Sequence, residues 1–157
     1  MKGNNSDRIC RPPRLARIFA ESPVYFVTFC THNRQALLAN EGVHNIFRVG
    51  SLNAVQNNAA VGRYVIMPNH VHLFIRIGRE GKLSATVKFL REGITKYLRR
   101  NNPDLRVWQP GFFDHVLRSG ESYAEKWEYV RYNPVRAGLV KKPEEWLFQG
   151  EIETIVW

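Results

Sequence analysis

The segment YVIMPNHVHLFIRI occupies residues 64–77. Pro68-Asn69 is a turn signal, and it separates two runs rich in β-branched residues. The pattern predicts strands over Val61–Met67 and His70–Ile77 joined by a tight connection. Side chains of a strand alternate between its faces. Val71, Leu73, Ile75 and Ile77 therefore point one way, an aliphatic face suited to burial. His70, His72, Phe74 and Arg76 point the other way.

The same reading extends to both sides. Val24–Thr31 (VYFVTFCT) is β-branched and aromatic on both faces, which predicts an interior strand. Residues 32–41 read as a connection. Val43, Ile46, Phe47, Leu52 and Val55 recur at near-helical spacing, so a helix is expected from Gly42 to about Asn58. Ser84 can cap a second helix running to about Arg100, with Val87, Leu90, Ile94 and Leu98 as its core stripe. Phe112–Leu117 reads as a fourth strand. Ser119 can cap a third helix through about Asn133, and a short helix follows from Pro134. The order β-α-β-β-α-β with right-handed crossovers predicts an α+β fold: a ferredoxin-like four-stranded antiparallel sheet with both helices on one face. The other face is left free to bind, and the additional C-terminal helices lie beyond the core.

Composition limits the function classes. The chain has 157 residues, suited to one domain over 1–157. Its 44% hydrophobic and 12% aromatic content excludes a disordered or collagenous chain. No apolar run approaches the length of a membrane span, and no secretory leader is evident, so a cytoplasmic protein is expected. Two cysteines, Cys10 and Cys30, make neither a disulfide framework nor a metal cluster. The net charge is +9. The tail 143–157 carries four acids and no base, so the rest of the chain carries +13. Basic residues gather in the arm 1–22 and again between Arg79 and Arg100. Such an excess attracts polyanions, nucleic acid above all.

Chemistry is suggested by two features. His70 and His72 stand at i and i+2 on one strand face, where two imidazoles can converge on one ion. An isolated pair of this kind is more often simply hydrogen-bonded, but here the reverse face is wholly aliphatic. Two nitrogens and an oxygen donor would suit Mg²⁺ or Mn²⁺ on a phosphodiester better than zinc. On ESYAEKWEYVRYNP (121–134), Tyr123, Trp127 and Val130 form a core stripe. Tyr129 falls off that stripe, one helical turn before Asn133, so phenol and amide can address one point. Tyr132 is the rival nucleophile, lying almost opposite the stripe. Asn133-Pro134 is equally a helix-start signal, with Asn133 as N-cap. Phe74 can stack on a base or pack under the third helix.

Four segments taken in order resemble the REP-associated tyrosine transposases, members of the HUH single-strand nucleases. They are YFVTFCTHNRQALL, YVIMPNHVHLFIRI, VWQPGFFDHVLR and WEYVRYNPVRAGLV, and the likeness runs from about Val24 to Trp146. The resemblance implies the ferredoxin-like core, a histidine pair at His70 and His72, a helical third ligand at Asn133 and a nucleophile at Tyr129 rather than Tyr132. It implies a metal-dependent endonuclease and strand transferase that cuts and rejoins single-stranded DNA at palindromic hairpins. The intermediate is a 5′-phosphotyrosine, and no nucleotide cofactor is needed. Candidate backbone contacts are Arg8, Arg11, Arg14, Lys88, Arg91, Lys96 and Arg99, with His115 and Arg118 nearer the site. The tail EWLFQGEIETIVW departs from the family pattern. Ile152, Ile155, Val156 and Trp157 can form a strand that packs in cis or pairs with a second copy, leaving a homodimer open. The competing readings are a domesticated, non-cleaving DNA-hairpin-binding protein and an RNA-binding module of similar fold.

Overall fold

Two strands flank the Pro68-Asn69 turn as expected. β2 (Ala59–Ile66) and β3 (His70–Ile77) pair antiparallel, Ile66 opposite Val71. The computed structural model describes residues 22–157. Arg8, Arg11 and Arg14 lie outside the described residues. β1 (Val24–Cys30) precedes α1 (Glu41–Asn53), and α2 (Leu83–Leu98) precedes β4 (Phe113–Leu117). The chain then forms α3 (Gly120–Arg131), α4 (Asn133–Arg136) and β5 (Gln149–Glu151).

The sheet order is β4-β1-β3-β2-β5, and every neighbouring pair is antiparallel. Its first four strands follow the order expected of a ferredoxin-like core. The fifth strand is a correction. The tail does return to the sheet in cis, but the strand is Gln149–Glu151 on the edge of β2; of the apolar residues after it, Ile152 adds one backbone bond, its amide donating to the Gly62 carbonyl at 3.1 Å, and the rest form no strand. Ile155 instead drops its side chain into the core at 7% exposure. Gly62 on β2 permits this, since a Cβ there would meet Ile155 Cδ1 at 2.6 Å.

Both faces of the sheet are covered. Val27, Phe29, Val71, Leu73, Ile75 and Ile77 pack with Val43 and Phe47 of α1 and with Val87, Leu90 and Ile94 of α2. Each such side chain contributes on the order of 1.5–3 kcal/mol by leaving water. The opposite face carries Val24, Phe26, Val65 and Phe74 beneath Tyr123 and Val130, with Ile155 of the tail alongside. The expectation of a free second face is therefore corrected. Aromatic and aliphatic residues there demand a cover, and α3 with the tail supplies it.

Helix starts follow backbone chemistry. Ser119 caps α3: its hydroxyl accepts from the Ser122 amide at 3.1 Å, and Ser122 Oγ accepts from the Ser119 amide at 3.2 Å. α2 begins at Leu83, with Lys82 as its N-cap, because the Thr86 amide already donates to the Lys82 carbonyl at 3.1 Å. Ser84 therefore lies inside the first turn and is no cap.

Candidate active site

His70 and His72 sit at the start of β3, on the face covered by α3. Their Nε2 atoms lie 3.1 Å apart, with the rings nearly perpendicular at 79°. Each ring is fixed through its other nitrogen. His70 Nδ1 lies 2.7 Å from Asn69 Oδ1, and His72 Nδ1 lies 2.7 Å from Thr28 Oγ1. Phe26 stacks against the His72 ring at 5.4 Å and 23°.

These contacts set the tautomers. Asn69 Oδ1 only accepts, so His70 carries its proton on Nδ1. Asn133 Nδ2 donates to His72 Nε2 at 2.8 Å, so His72 also carries its proton on Nδ1 and donates to Thr28. Both Nε2 lone pairs then face one another across 3.1 Å. Burial pushes His70 down to about 4, helped by the charge of Arg34. Burial pushes His72 down to about 3, helped by His70, Arg136 and Lys126. Two neutral imidazoles with opposed lone pairs are repulsive alone and attractive around a cation. A half-turn of the Asn133 amide presents its oxygen at the same point. Among the described residues no group of three or more His, Cys, Asp or Glu side chains offers a metal site. The donor set is thus two imidazoles and an amide, and it fits a divalent cation with open positions.

Asn133 is not an N-cap. It is the first residue of α4, whose N-cap is Tyr132, and its side chain turns to His72 instead. Tyr129 lies one turn earlier on α3 and is 63% exposed. The Arg136 guanidinium covers its ring at 4.1 Å and donates to its carbonyl oxygen at 2.6 Å. Lys126, three residues before Tyr129, sits 5.1 Å over Phe26. Tyr132 is 40% exposed and lies under Arg131 at 5.4 Å.

Several contributors escaped the sequence reading. Thr28 faces His72 in register, which strand alternation could have located once pairing was known. Asn69 is marked by the sequence only as a turn residue, and its side-chain contact with His70 shows only in the structure. Arg34 follows Asn33 in the left-handed region, at φ 55 and 53, a conformation that asparagine tolerates and that is costly for arginine. Arg136 is separated from Tyr129 by the turn into α4, which helical spacing does not cross. Phe74 is wholly buried against Tyr123, ring centroids 4.6 Å apart, so it packs and cannot stack on a base.

The remaining basic candidates fall in two places. Lys88, Arg91, Lys96 and Arg99 line a cavity of about 460 Å³ between the outer side of α2 and Trp108 and Phe112. Arg91 lies over the rings of Phe29 and Trp108 at 5.1 and 5.5 Å and donates to the Gly111 carbonyl. Burial lowers its pKa. Arg99 donates to the Leu105 carbonyl at 2.9 Å, and Lys88 pairs with Glu92 at 3.8 Å. This group belongs to the helix layer. His115 and Arg118 are exposed, at β4 and just after it. His115 faces the histidine side, opposite Phe26.

Comparison with known proteins gives a consistent picture. A family model described as "Transposase IS200 like" matches residues 21–133. A REP-associated tyrosine transposase of Escherichia coli K12 is 25% identical over 137 residues, covering 84% of this chain and 78% of its own. An uncharacterised protein of Haemophilus influenzae is 25% identical over 147 residues, covering 71% of this chain and 79% of its own. Among solved structures, one described as a REP-associated tyrosine transposase bound to a REP hairpin matches with a TM-score of 0.69 at 21% identity. It covers 83% of this chain and 78% of its own. A putative transposase from Deinococcus radiodurans matches with a TM-score of 0.51 at 19% identity, covering 83% and 95% respectively.

Proposed function

The chain belongs to the IS200-like transposase family, and from that premise we propose that it cuts and rejoins single-stranded DNA at palindromic hairpins, in the cytoplasm, as a single catalytic domain. The observation that carries the reading is the pair of imidazoles whose Nε2 atoms lie 3.1 Å apart, with the Asn133 amide 2.8 Å from one of them. Asn133 stands one turn from the exposed Tyr129. That juxtaposition supports reading a cation site and a nucleophile for one phosphodiester.

His70 and His72, with the Asn133 amide oxygen, would hold Mg²⁺ or Mn²⁺, which when bound polarises the scissile phosphoryl oxygens. Thr28 and Asn69 keep both Nε2 lone pairs directed inward. Lys126, Arg136 and Arg34 surround the pair with positive charge and draw the phosphate in. Tyr129 Oη forms a bond to phosphorus as the P–O3′ bond breaks. The phenolic proton passes to solvent water at the exposed Tyr129, the 3′-oxygen leaves and takes a proton back from water, and the strand remains as a 5′-phosphotyrosine. Attack by a second 3′-hydroxyl reverses the step, so strands are exchanged without ATP. Arg136 restrains Tyr129 through its ring and carbonyl.

The test uses an end-labelled DNA hairpin with unpaired flanks, incubated with the protein and Mn²⁺ or Mg²⁺. The wild type should yield a denaturation-resistant protein–DNA species and a shortened strand with a free 3′-hydroxyl. Tight, chelator-insensitive binding without either product would establish the non-cleaving reading instead. Preference for an RNA hairpin of the same sequence would transfer the protein to RNA.

A further inference from the structure

Phe113 opens β4, an edge strand of the sheet among the described residues. Its register partner is Thr28, and Thr28 in turn faces His72 on β3. Cross-strand partners share a face, so Phe113, Thr28 and His72 form one row on the histidine side. Neighbouring strands lie about 4.7–4.9 Å apart. Phe113 is thus two strand spacings from His72, within one or two nucleotides' reach of a phosphate held there.

Its exposure sets it apart from the other phenylalanines of that face. Phe26 and Phe74 are 5% and 0% exposed, whereas Phe113 is 60% exposed. Phe112 joins the helix-side core, while Phe113 belongs to neither buried layer. A single exposed apolar residue needs no explanation in general, but this ring ends a row that begins at the imidazole pair. Exposed His115 follows on the same face, and Lys126 stands over Phe26, the register partner of His115. An aromatic face beside positive charge is the composition of single-strand platforms, where any base can stack and the backbone meets cations.

We propose that Phe113 stacks on the base next to the scissile phosphate and so sets the strand's position over the histidine pair. The inference rests on the DNA-cleavage reading and adds a subsite to it. Stacking of this kind tolerates any base identity, so the platform positions the strand and leaves sequence choice to other contacts.

The probe is a DNA hairpin whose unpaired flank carries 2-aminopurine at each position in turn. Wild-type protein should quench the fluorescence at a position adjoining the cut. Phe113→Ala and Phe113→Leu should lose that quenching and weaken binding of the flanked hairpin roughly 5- to 100-fold. Phe113→Trp should restore both, which a purely structural role does not predict. An abasic site at the quenched position should cost the wild type as much as Phe113→Ala does, and cost that variant nothing further. Equal quenching by wild type and Phe113→Ala overturns the platform while leaving cleavage untouched. A change in sedimentation alone assigns the ring to contact between copies and also overturns it. Absence of any hairpin binding or adduct by the wild type overturns both this inference and the reading beneath it.

Discussion

At the scale of single residues, the proposed mechanism gives the imidazole pair and the phenol separable roles. Replacing His72 by Ala removes one donor and leaves Thr28 and Asn133 without their ring partner. Manganese should raise the melting temperature of the wild type, because a ligand that binds only the folded chain stabilises it by mass action. In His72→Ala that rise should vanish; an equal rise would place the ion elsewhere. Arg136→Ala should retain the metal-induced rise, since the residue contributes charge and restraint rather than a donor. It should lower the rate of adduct formation on the order of tenfold or more, read by quenched-flow sampling. The alternation of β3 made the histidine pair legible, because facing is a local property of a strand. The choice between Tyr129 and Tyr132 was not legible from angles alone, because both leave the core stripe. Asn133 was ambiguous for a similar reason: Asn-Pro predicts a cap, and only tertiary contact turns the amide to His72.

The helix that carries Tyr129 is held by its Ser119 cap and by Tyr123, Trp127 and Val130 packed on the sheet. Ser119→Ala removes the accepting hydroxyl of its capping box and should cost about 1 kcal/mol, read as a lower urea midpoint with unchanged slope. Adduct formation should persist under native conditions, distinguishing loss of the cap from loss of chemistry. Phe74→Ala, beneath the same helix, should cost about 3–5 kcal/mol because Phe74 is fully buried against Tyr123. Elements with a continuous apolar stripe or strict alternation were readable: β1, β2, β3, β4 and the core of α2 fall where the pattern puts them. α1 does so only in part: Val43 and Phe47 are buried, but Leu52 is 57% exposed, Ser51 takes the inward position, and Val55 lies past the end of the helix. The tail was not readable. Its apolar residues suggested a strand, yet Gln149–Glu151 forms the pairing, since edge pairing is set by backbone groups rather than hydrophobicity. Ser84 misled for a comparable reason, since a capping residue has no effect once the backbone turn has closed two residues earlier.

For the whole molecule, half-buried histidines tie stability to pH. His44 is also lowered by burial, with Arg48 adding to the effect. Unfolded histidines take up protons as pH falls below about 6.5, while folded His70 and His72 resist until about 4 and 3. Depressed folded values therefore leave stability intact above pH 6.5 and withdraw it as pH drops toward 4. Urea midpoints of the metal-free protein should fall across that window and level off at neutral pH. Charge acts at the same scale. If the bases of the α2 groove meet phosphates, hairpin affinity should fall linearly with the logarithm of salt concentration, and Lys96→Ala should make that slope shallower by about one. The central claim concerns the reaction as a whole, and its most direct test is mass spectrometry of the protein–DNA adduct trapped with Mn²⁺ and digested. The account predicts a phosphonucleotide on the peptide containing Tyr129 and no adduct from Tyr129→Phe. A modified Tyr132, or an equal yield from Tyr129→Phe, would contradict it.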